Sequence, residues 1–307
     1  MKILKMITYL INLFIYTYLM SSEKYLVTLA NSHFGSIVID SLLKEVPAKN
    51  IIATVRDLKK GEKFKAKGIE VRIADYSKPE TLKEAFKGVD KLLFISSIPG
   101  QPVSRENQHK NVVEAAKACG VKFIVYTSII KGDKNESLLS ADHKFTEKII
   151  KESGIKHTFC RNNWYFENDE LLWKLCGKEG KIMYDPLGNQ KIGYAFRKDY
   201  AEAAAKVLTH KNPKEIYELT GKPRTLKEIG EAIKKITKKD FKIIEVSKDE
   251  MVEKMKKEGY PELIIGTWSF MINDYLKGCL NFESNDLPEI LGRQLNSLED
   301  SLKILLK

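Results

Sequence analysis

Between Tyr25 and Arg161, short apolar runs alternate with stretches of helical character, and this alternation constrains the fold more than any other feature of the chain. The runs fall at residues 25–28, 50–56, 69–73, 91–97, 122–128 and 157–161 and are rich in Ile, Val, Leu, Phe and Tyr. Too short for helices, they suit strands, and the run at 91–97 is of the type buried on both faces. The intervening stretches carry helix signals. Pro79 and Glu80 open one helix, Gly120 ends another that begins near Arg105, and Ser153-Gly154 closes one over residues 141–152. Strands separated by helices of roughly 10–15 residues imply an α/β protein built on a doubly wound parallel sheet. After Asn162 the pattern loosens, with short strands expected at 181–184, 215–220 and 241–246. Helices are expected there near 199–210, 225–236, 261–275 and 295–306.

Composition narrows the class. A chain of 307 residues with 43% apolar and 30% charged residues is an ordinary globular protein, long enough for one large or two modest domains. The net charge of +11 comes from 52 basic and 41 acidic residues, but the lysines are spread along nearly every helix. Pairs such as Lys234-Lys235 and Lys238-Lys239 are separated by apolar residues, which reads as a solvated surface. No nucleic-acid partner is expected, because there is neither a basic stripe nor a recognisable module. Cys119, Cys160, Cys176 and Cys279 lie far apart with no C-x-x-C pair, which points to a reducing compartment and a cytoplasmic location. The five histidines show no ligand spacing, so no metal site is expected.

Residues 1–23 form a separate N-terminal extension. It is uncharged and apolar from Met6 to Ser22 and follows Lys2 and Lys5. A signal peptide, a short membrane anchor and an upstream start ahead of a true first residue at Met20 all fit this pattern. A membrane is a partner only if residues 1–20 are retained.

The turn after the first strand carries the clearest chemistry. Residues 27–35 read V-T-L-A-N-S-H-F-G, and an amphipathic stretch follows. This is the position of a glycine-rich phosphate turn, in which one glycine makes the bend, a second lets pyrophosphate reach the backbone and a third lets helix and strand pack closely. Leu29 occupies the first position, Ser32 the second and Gly35 the third. Asn31 tolerates left-handed backbone, which partly offsets the loss of glycine, and Leu29 is the harder position because its Cβ resists positive φ. Ser32 offers a hydroxyl to a phosphate oxygen, and the helix start offers free N–H groups. A turn that keeps only its structural part is the alternative. Arg56 ends the second strand, where an acidic residue would bind the ribose of NAD; a cation suits the 2′-phosphate of NADP, or is a surface residue.

Many further motifs follow in one order. They include Val55-Arg56, Ala74-Asp75-Tyr76, Gly88-Val89-Asp90, Ile95-Ser96-Ser97, His109-Lys-Asn-Val112, Gly120-Val121-Lys122 and Tyr126-Thr127-Ser128. The run Arg161-Asn-Asn-Trp-Tyr-Phe-Glu-Asn168 and Arg197-Lys-Asp-Tyr-Ala201 complete them. From about Tyr25 onward the chain resembles the NmrA-like group of atypical short-chain dehydrogenases/reductases, nearest its quinone reductases. The resemblance implies a Rossmann-type NAD(P)-binding domain over 24–161 and a smaller substrate-side α/β region over 162–307, together one unit over 24–307. It implies NADPH, rather than NADH, as cofactor, a quinone as small-molecule substrate, and a homodimer as an assembly to consider.

The same resemblance assigns residues. Ala30, Asn31, Ser32, His33, Phe34 and Gly35 would hold the pyrophosphate, and Arg56 the 2′-phosphate. Ser96, Ser97 and Ile98 would line the ribose and nicotinamide side. Asn162, Asn163, Trp164, Tyr165, Phe166 and Glu167 would form the segment over nicotinamide and quinone, with Tyr194 near it. Two positions depart from the family's pattern: the turn lacks two glycines, and Asn163 stands where the family has glycine. The helix after the fifth strand also lacks the Tyr-x-x-x-Lys pair of ordinary short-chain dehydrogenases. Ser128, Lys131 and His143 are the candidate catalytic groups, with His143 expected on a helix surface. A regulator that binds the dinucleotide without turnover, and a scaffold without a cofactor, are the competing functions.

Overall fold

The computed structural model describes residues 23–307, so the expectations for the preceding segment lie outside the described residues. Within them, no helix is long and apolar enough to cross a membrane. The expected alternation is present. The strands are β1 (Tyr25–Val27), β2 (Ile51–Val55), β3 (Glu70–Ile73), β4 (Lys91–Phe94), β5 (Phe123–Ile129) and β6 (Lys156–Asn162). Between them lie the helices α1 (His33–Leu42), α2 (Glu62–Lys65), α3 (Pro79–Ala85), α4 (Arg105–Ala118) and α5 (Ser140–Ser153). The rest of the chain adds β7 (Trp164–Tyr165), α6 (Glu170–Glu179), β8 (Met183–Asp185), β9 (Ile192–Ala195), α7 (Arg197–Thr209), β10 (Ile216–Leu219) and β11 (Pro223–Arg224). It ends with α8 (Leu226–Thr237), β12 (Ile243–Glu245), α9 (Lys248–Lys257), α10 (Glu262–Leu276), α11 (Asp286–Leu291) and α12 (Leu298–Leu305).

The main sheet has seven strands in the order β10-β6-β5-β4-β1-β2-β3. β1 pairs in parallel with both β2 and β4, so the strand order reverses at β1, where open α/β sheets bind ligands beyond the strands' carboxyl ends. β1 and β2 are buried along their whole length, which is why they read as unbroken apolar runs rather than alternating ones. The strand expected at 215–220 forms, but as the seventh strand of this sheet rather than as part of a separate small one. Sequence spacing gives no clue to that placement, because sheet order is set by three-dimensional packing.

Two compact units emerge. Of the described residues, the first comprises 23–127 with Phe145–Cys160 and Ala201–Ile216; the second comprises Ser128–Lys144, Arg161–Tyr200 and Tyr217–Lys307. In the first, helices and sheet enclose a core that includes Leu26, Ile52, Phe86, Phe94, Tyr126 and Phe159. In the second, a core around Trp173, Tyr194, Ile229, Trp268 and Tyr275 is held between short sheets and helices. One of those sheets, β11-β9-β7, carries the segment after Asn162.

Candidate functional site

In the first unit, the turn after β1 is held by both neighbouring strands. The Thr28 hydroxyl donates to Leu93 O (3.0 Å) and accepts from Ile95 N (2.9 Å), fastening β1 to the end of β4. Ala30 N–H donates to Thr54 O (2.9 Å), fastening the turn to β2 and removing that group from any ligand. The bend falls on Leu29, the first position of the turn, whose φ is +48°; Asn31, which could tolerate left-handed backbone, does not adopt it. For a leucine that conformation costs about 1–2 kcal/mol, and the strand attachments on both sides hold it there. Gly35 has no substitute. A Cβ at this position would lie 2.4 Å from Leu29 O and 2.8 Å from Ala30 Cα, both backbone atoms.

Ser32 is the N-cap of α1. Its Oγ accepts Gly35 N–H at 3.0 Å, which leaves the hydroxyl proton free to donate. Among the described residues, no acceptor within the chain takes the N–H groups of Asn31, His33 or Phe34. Unengaged N–H groups at the start of a helix whose first turn carries no acidic residue fit a phosphate. Lys63 Nζ donates to Ser36 Oγ at 2.8 Å and adds a cation to that first turn. Arg56 follows β2, exposed, with no ion-pair partner among the described residues. The carboxylate next to it, Asp57, accepts Lys59 N–H at 3.0 Å and serves as a local cap. The fit to a dinucleotide with a 2′-phosphate is therefore good at the turn and at the β2 end.

Past β4, Ser96 and Ser97 are fixed through their backbone while Ile98 stays exposed. Ser96 N–H donates to Thr127 Oγ1 (2.9 Å), and Ser97 N–H donates to His109 Nε2 (3.0 Å). His109 Nδ1 lies 2.7 Å from Thr146 Oγ1, so the imidazole accepts on Nε2 and donates from Nδ1. Burial, and then the Arg105 charge, push its pKa down to about 3, and the ring is neutral. The Tyr76 hydroxyl donates to Ile95 O at 2.8 Å. His109 was visible in sequence only as part of the family resemblance. Its inward position follows from the i, i+3, i+4 spacing of the buried residues Arg105, Gln108, His109, Val112 and Val113 on α4.

In the second unit, residues 162–169 run from the end of β6 through β7. Asn162 Nδ2 reaches the Tyr165 hydroxyl (3.4 Å), and Asn162 Oδ1 is buried without a partner among the described residues. The Asn163 amide turns into the interior. It donates to Thr220 Oγ1 (2.9 Å) and Leu280 O (3.0 Å) and accepts Trp164 N–H (2.9 Å). Its room comes from Gly193, where a Cβ would lie 2.5 Å from Asn163 Nδ2. The side chain in place of the family's glycine is thus a fastening of the segment. Tyr165 carries the Arg197 guanidinium 5.3 Å from its ring centre, and burial pushes its hydroxyl up to about 12. Glu167 accepts Arg197 N–H with both carboxylate oxygens, at 3.1 and 3.0 Å, and so caps α7.

Trp164 and Tyr194 converge on a residue that sequence reasoning passed over, Asp169. Trp164 Nε1 and the Tyr194 hydroxyl each donate to Asp169 Oδ2 at 2.9 Å. Phe166 stacks on Tyr194 with ring centres 5.0 Å apart, and both rings line a cavity of about 400 Å³ within this unit. Its size is that of a small-molecule site. Phe196, Arg224, Asn285 and Gln294 are also on its walls.

The three candidate catalytic groups also belong to the second unit. Ser128 is buried. Lys131 takes a left-handed backbone (φ +63°), and its Nζ donates to Gly278 O at 3.4 Å. His143 is 7% exposed, not on the helix surface as expected, because α5 turns that side inward. Among the described residues no cluster of His, Cys, Asp or Glu could hold a metal ion.

The NAD(P)H-binding family model matches residues 30–211. Quinone oxidoreductase 2 of Escherichia coli is 36% identical over 281 residues, 91% of this chain and 97% of that protein. The structure of that NADPH-dependent enzyme with NADPH superposes with a TM-score of 0.84, at 35% identity, over 92% of this chain and all (100%) of the other. The triphenylmethane reductase of Citrobacter sp. in complex with NADP(H) gives 0.84 at 33% identity, over 92% of this chain and 100% of that one. An NmrA-like family domain-containing oxidoreductase of Aspergillus flavus is 29% identical over 299 residues, 92% of this chain and 95% of its own length.

Proposed function

The chain belongs to the NAD(P)H-binding, NmrA-like family of oxidoreductases, and from that premise we propose that it is an NADPH-dependent reductase whose acceptor is a quinone. One observation carries the reading: the 36% likeness to quinone oxidoreductase 2 covers 91% of the chain and so takes in both units. In this reading, residues 30–35 hold the pyrophosphate through backbone N–H groups, Arg56 holds the 2′-phosphate, and Ser96, Ser97 and Ile98 lie along the ribose side. His109 and Thr127 keep those serines in place. When bound, the dinucleotide supplies a hydride. The cavity in the second unit receives the acceptor's flat ring on Phe166 and Tyr194. A quinone takes a hydride readily and the quinolate can draw its proton from water, so the chain contributes positioning more than a tuned acid. That division of labour suits a chain in which Lys131 is bonded to a carbonyl and the helix after β5 carries no Tyr-x-x-x-Lys pair. The protein works in the cytoplasm, and a homodimer is the assembly to look for.

The test is steady-state turnover of a benzoquinone with NADPH and with NADH, in the wild type and in Arg56→Ala. Loss of a charge-assisted phosphate contact should weaken NADPH by about 10–100-fold and leave NADH unchanged. Equal weakening of both dinucleotides removes the 2′-phosphate assignment. Tight NADPH binding with no quinone turnover overturns the reductase reading in favour of a regulator.

A further inference from the structure

Asp169 is placed where an aspartate ordinarily does something else. It is the N-cap of α6, the position at which a carboxylate accepts helix N–H groups and stabilises the helix by about 1 kcal/mol. Its side chain makes no such bond. It turns inward, is 2% exposed, and takes the Trp164 indole and the Tyr194 phenol on a single oxygen, both at 2.9 Å. The other oxygen, Oδ1, is buried with no partner among the described residues. A buried carboxylate left half satisfied is costly, and the helix forgoes its cap as well.

The surroundings are aromatic. The Trp268 indole faces the carboxylate without completing a hydrogen bond, and Tyr275 packs edge-on against both Trp164 (5.9 Å) and Trp268 (5.3 Å). The titratable groups that face Asp169 are the phenols of Tyr194 and Tyr275; burial holds both well above their ordinary range, so both are neutral, and Tyr194 is the one that donates. Tyr194 joins this cluster to the cavity. Its hydroxyl is on Asp169, its ring is stacked at 18° on Phe166, and both rings line the roughly 400 Å³ space.

We propose that Asp169 is a positioning residue: by holding the Trp164 indole and the Tyr194 phenol, it fixes Tyr194 and Phe166 as a rigid aromatic wall on which a planar acceptor lies. Indole N–H and phenol O–H donors would otherwise lack a partner in a buried site, and without the shared acceptor each ring could turn about χ1 or χ2. The proposal rests on the reading that this cavity takes the acceptor, and the two can fail separately.

The experiment measures binding of a naphthoquinone by quenching of tryptophan fluorescence without cofactor, and measures NADPH oxidation in a separate assay. Asp169→Leu removes the acceptor atoms, Asp169→Asn keeps an oxygen in the same place, and Tyr194→Phe removes one donor while keeping the ring. Asp169→Leu should weaken naphthoquinone about tenfold or more, the loss expected for a hydrogen-bonded charge, with NADPH affinity within about twofold of wild type. Asp169→Asn should recover most of that loss, and Tyr194→Phe should fall between. Equal quinone affinity in wild type and Asp169→Leu overturns the proposal, as does a parallel loss of quinone and NADPH affinity, which marks general loosening. If Asp169→Leu does not fold, Tyr194→Phe decides alone: unchanged quinone affinity there overturns it. Wild-type protein that binds the quinone but does not oxidise NADPH rejects the reductase reading, while the variants' binding constants still judge Asp169.

Discussion

The turn after β1 and the segment after β6 both depart from their family's glycine pattern, and they absorb the change in opposite ways. In the turn, the missing glycine leaves a backbone requirement that no side chain can meet. Leu29 adopts φ +48° because Thr28 and Ala30 are bonded to β4 and β2 on either side. In the segment, the added Asn163 side chain becomes part of the structure, bonding Thr220 and Leu280 in space left by Gly193. A site made of backbone groups tolerates a substitution by storing strain; a site made of side chains tolerates it by finding partners.

The largest expected effect breaks the first region. Gly35→Ala puts a methyl 2.4 Å from Leu29 O, where only backbone can yield. It should destabilise the fold by about 3 kcal/mol, the upper part of the overpacking range, and weaken NADPH more than 100-fold, on the order of the same 3 kcal/mol. Thermal unfolding and an NADPH titration check both; affinity within severalfold of wild type would mean the turn is not the pyrophosphate site.

The second region should yield to an overpacking that a partner change can relieve. Gly193→Ala puts a methyl 2.2 Å from Thr220 Oγ1 and 2.5 Å from Asn163 Nδ2, both side-chain ends. It should cost about 2 kcal/mol. Adding Asn163→Gly should restore about 1 kcal/mol of that as a coupling energy in a double-mutant cycle. Additive effects would show that the two positions do not share space.

Acid separates the regions by sign. His109 is buried neutral with its pKa lowered to about 3, so the unfolded chain takes up a proton near pH 6.5 that the folded first unit refuses. Stability from this group is complete above about pH 6.5 and should fall by about 2 kcal/mol by pH 5. Burial raises Asp169 to about 6, against the hydrogen bonds of Tyr194 and Trp164, so the folded second unit keeps a proton that the unfolded chain releases. Its contribution is complete below about pH 4, declines as pH rises through 6, and should add about 1 kcal/mol at pH 5 relative to pH 7. Amide hydrogen exchange at pH 5 and pH 7.5, corrected for intrinsic rates, should show the core around Phe94 loosening and that around Trp173 tightening. Asp169→Asn should abolish the second trend and leave the first.

The smallest effect sharpens the account of the turn. Leu29→Gly removes about 1–2 kcal/mol of left-handed strain but also the contacts of a half-buried side chain, so stability should change by less than about 1 kcal/mol. NADPH should bind a few-fold more tightly, because the backbone becomes freer to meet the pyrophosphate. Weaker binding would mean that the Leu29 side chain itself serves the ligand.

The fold was largely legible in the sequence because a parallel sheet buries both faces of its inner strands, and β1, β2, β4 and β5 therefore stand out as apolar runs, whereas the outer strand β3 reads Glu-Val-Arg-Ile and is not buried. β10 was recognised as a strand but not as part of the main sheet, since local pattern says nothing about which edge a strand joins. In the turn, the bend is legible at the first glycine position, Leu29, in spite of its Cβ, and the ties at Thr28 and Ala30 that hold it there are not. His143 looked like a surface residue on a lysine-rich helix and is buried. Asp169 left no trace, because its importance lies in Trp164, Tyr194 and Trp268, which converge on it only in three dimensions.

Whether a turn with one glycine holds a dinucleotide is decided by a calorimetric titration of wild-type protein with NADPH and NADH. The expected result is saturable binding of one dinucleotide per chain, with NADPH tighter by about tenfold or more through the Arg56 contact. No saturable binding, or equal affinity for the two, contradicts it.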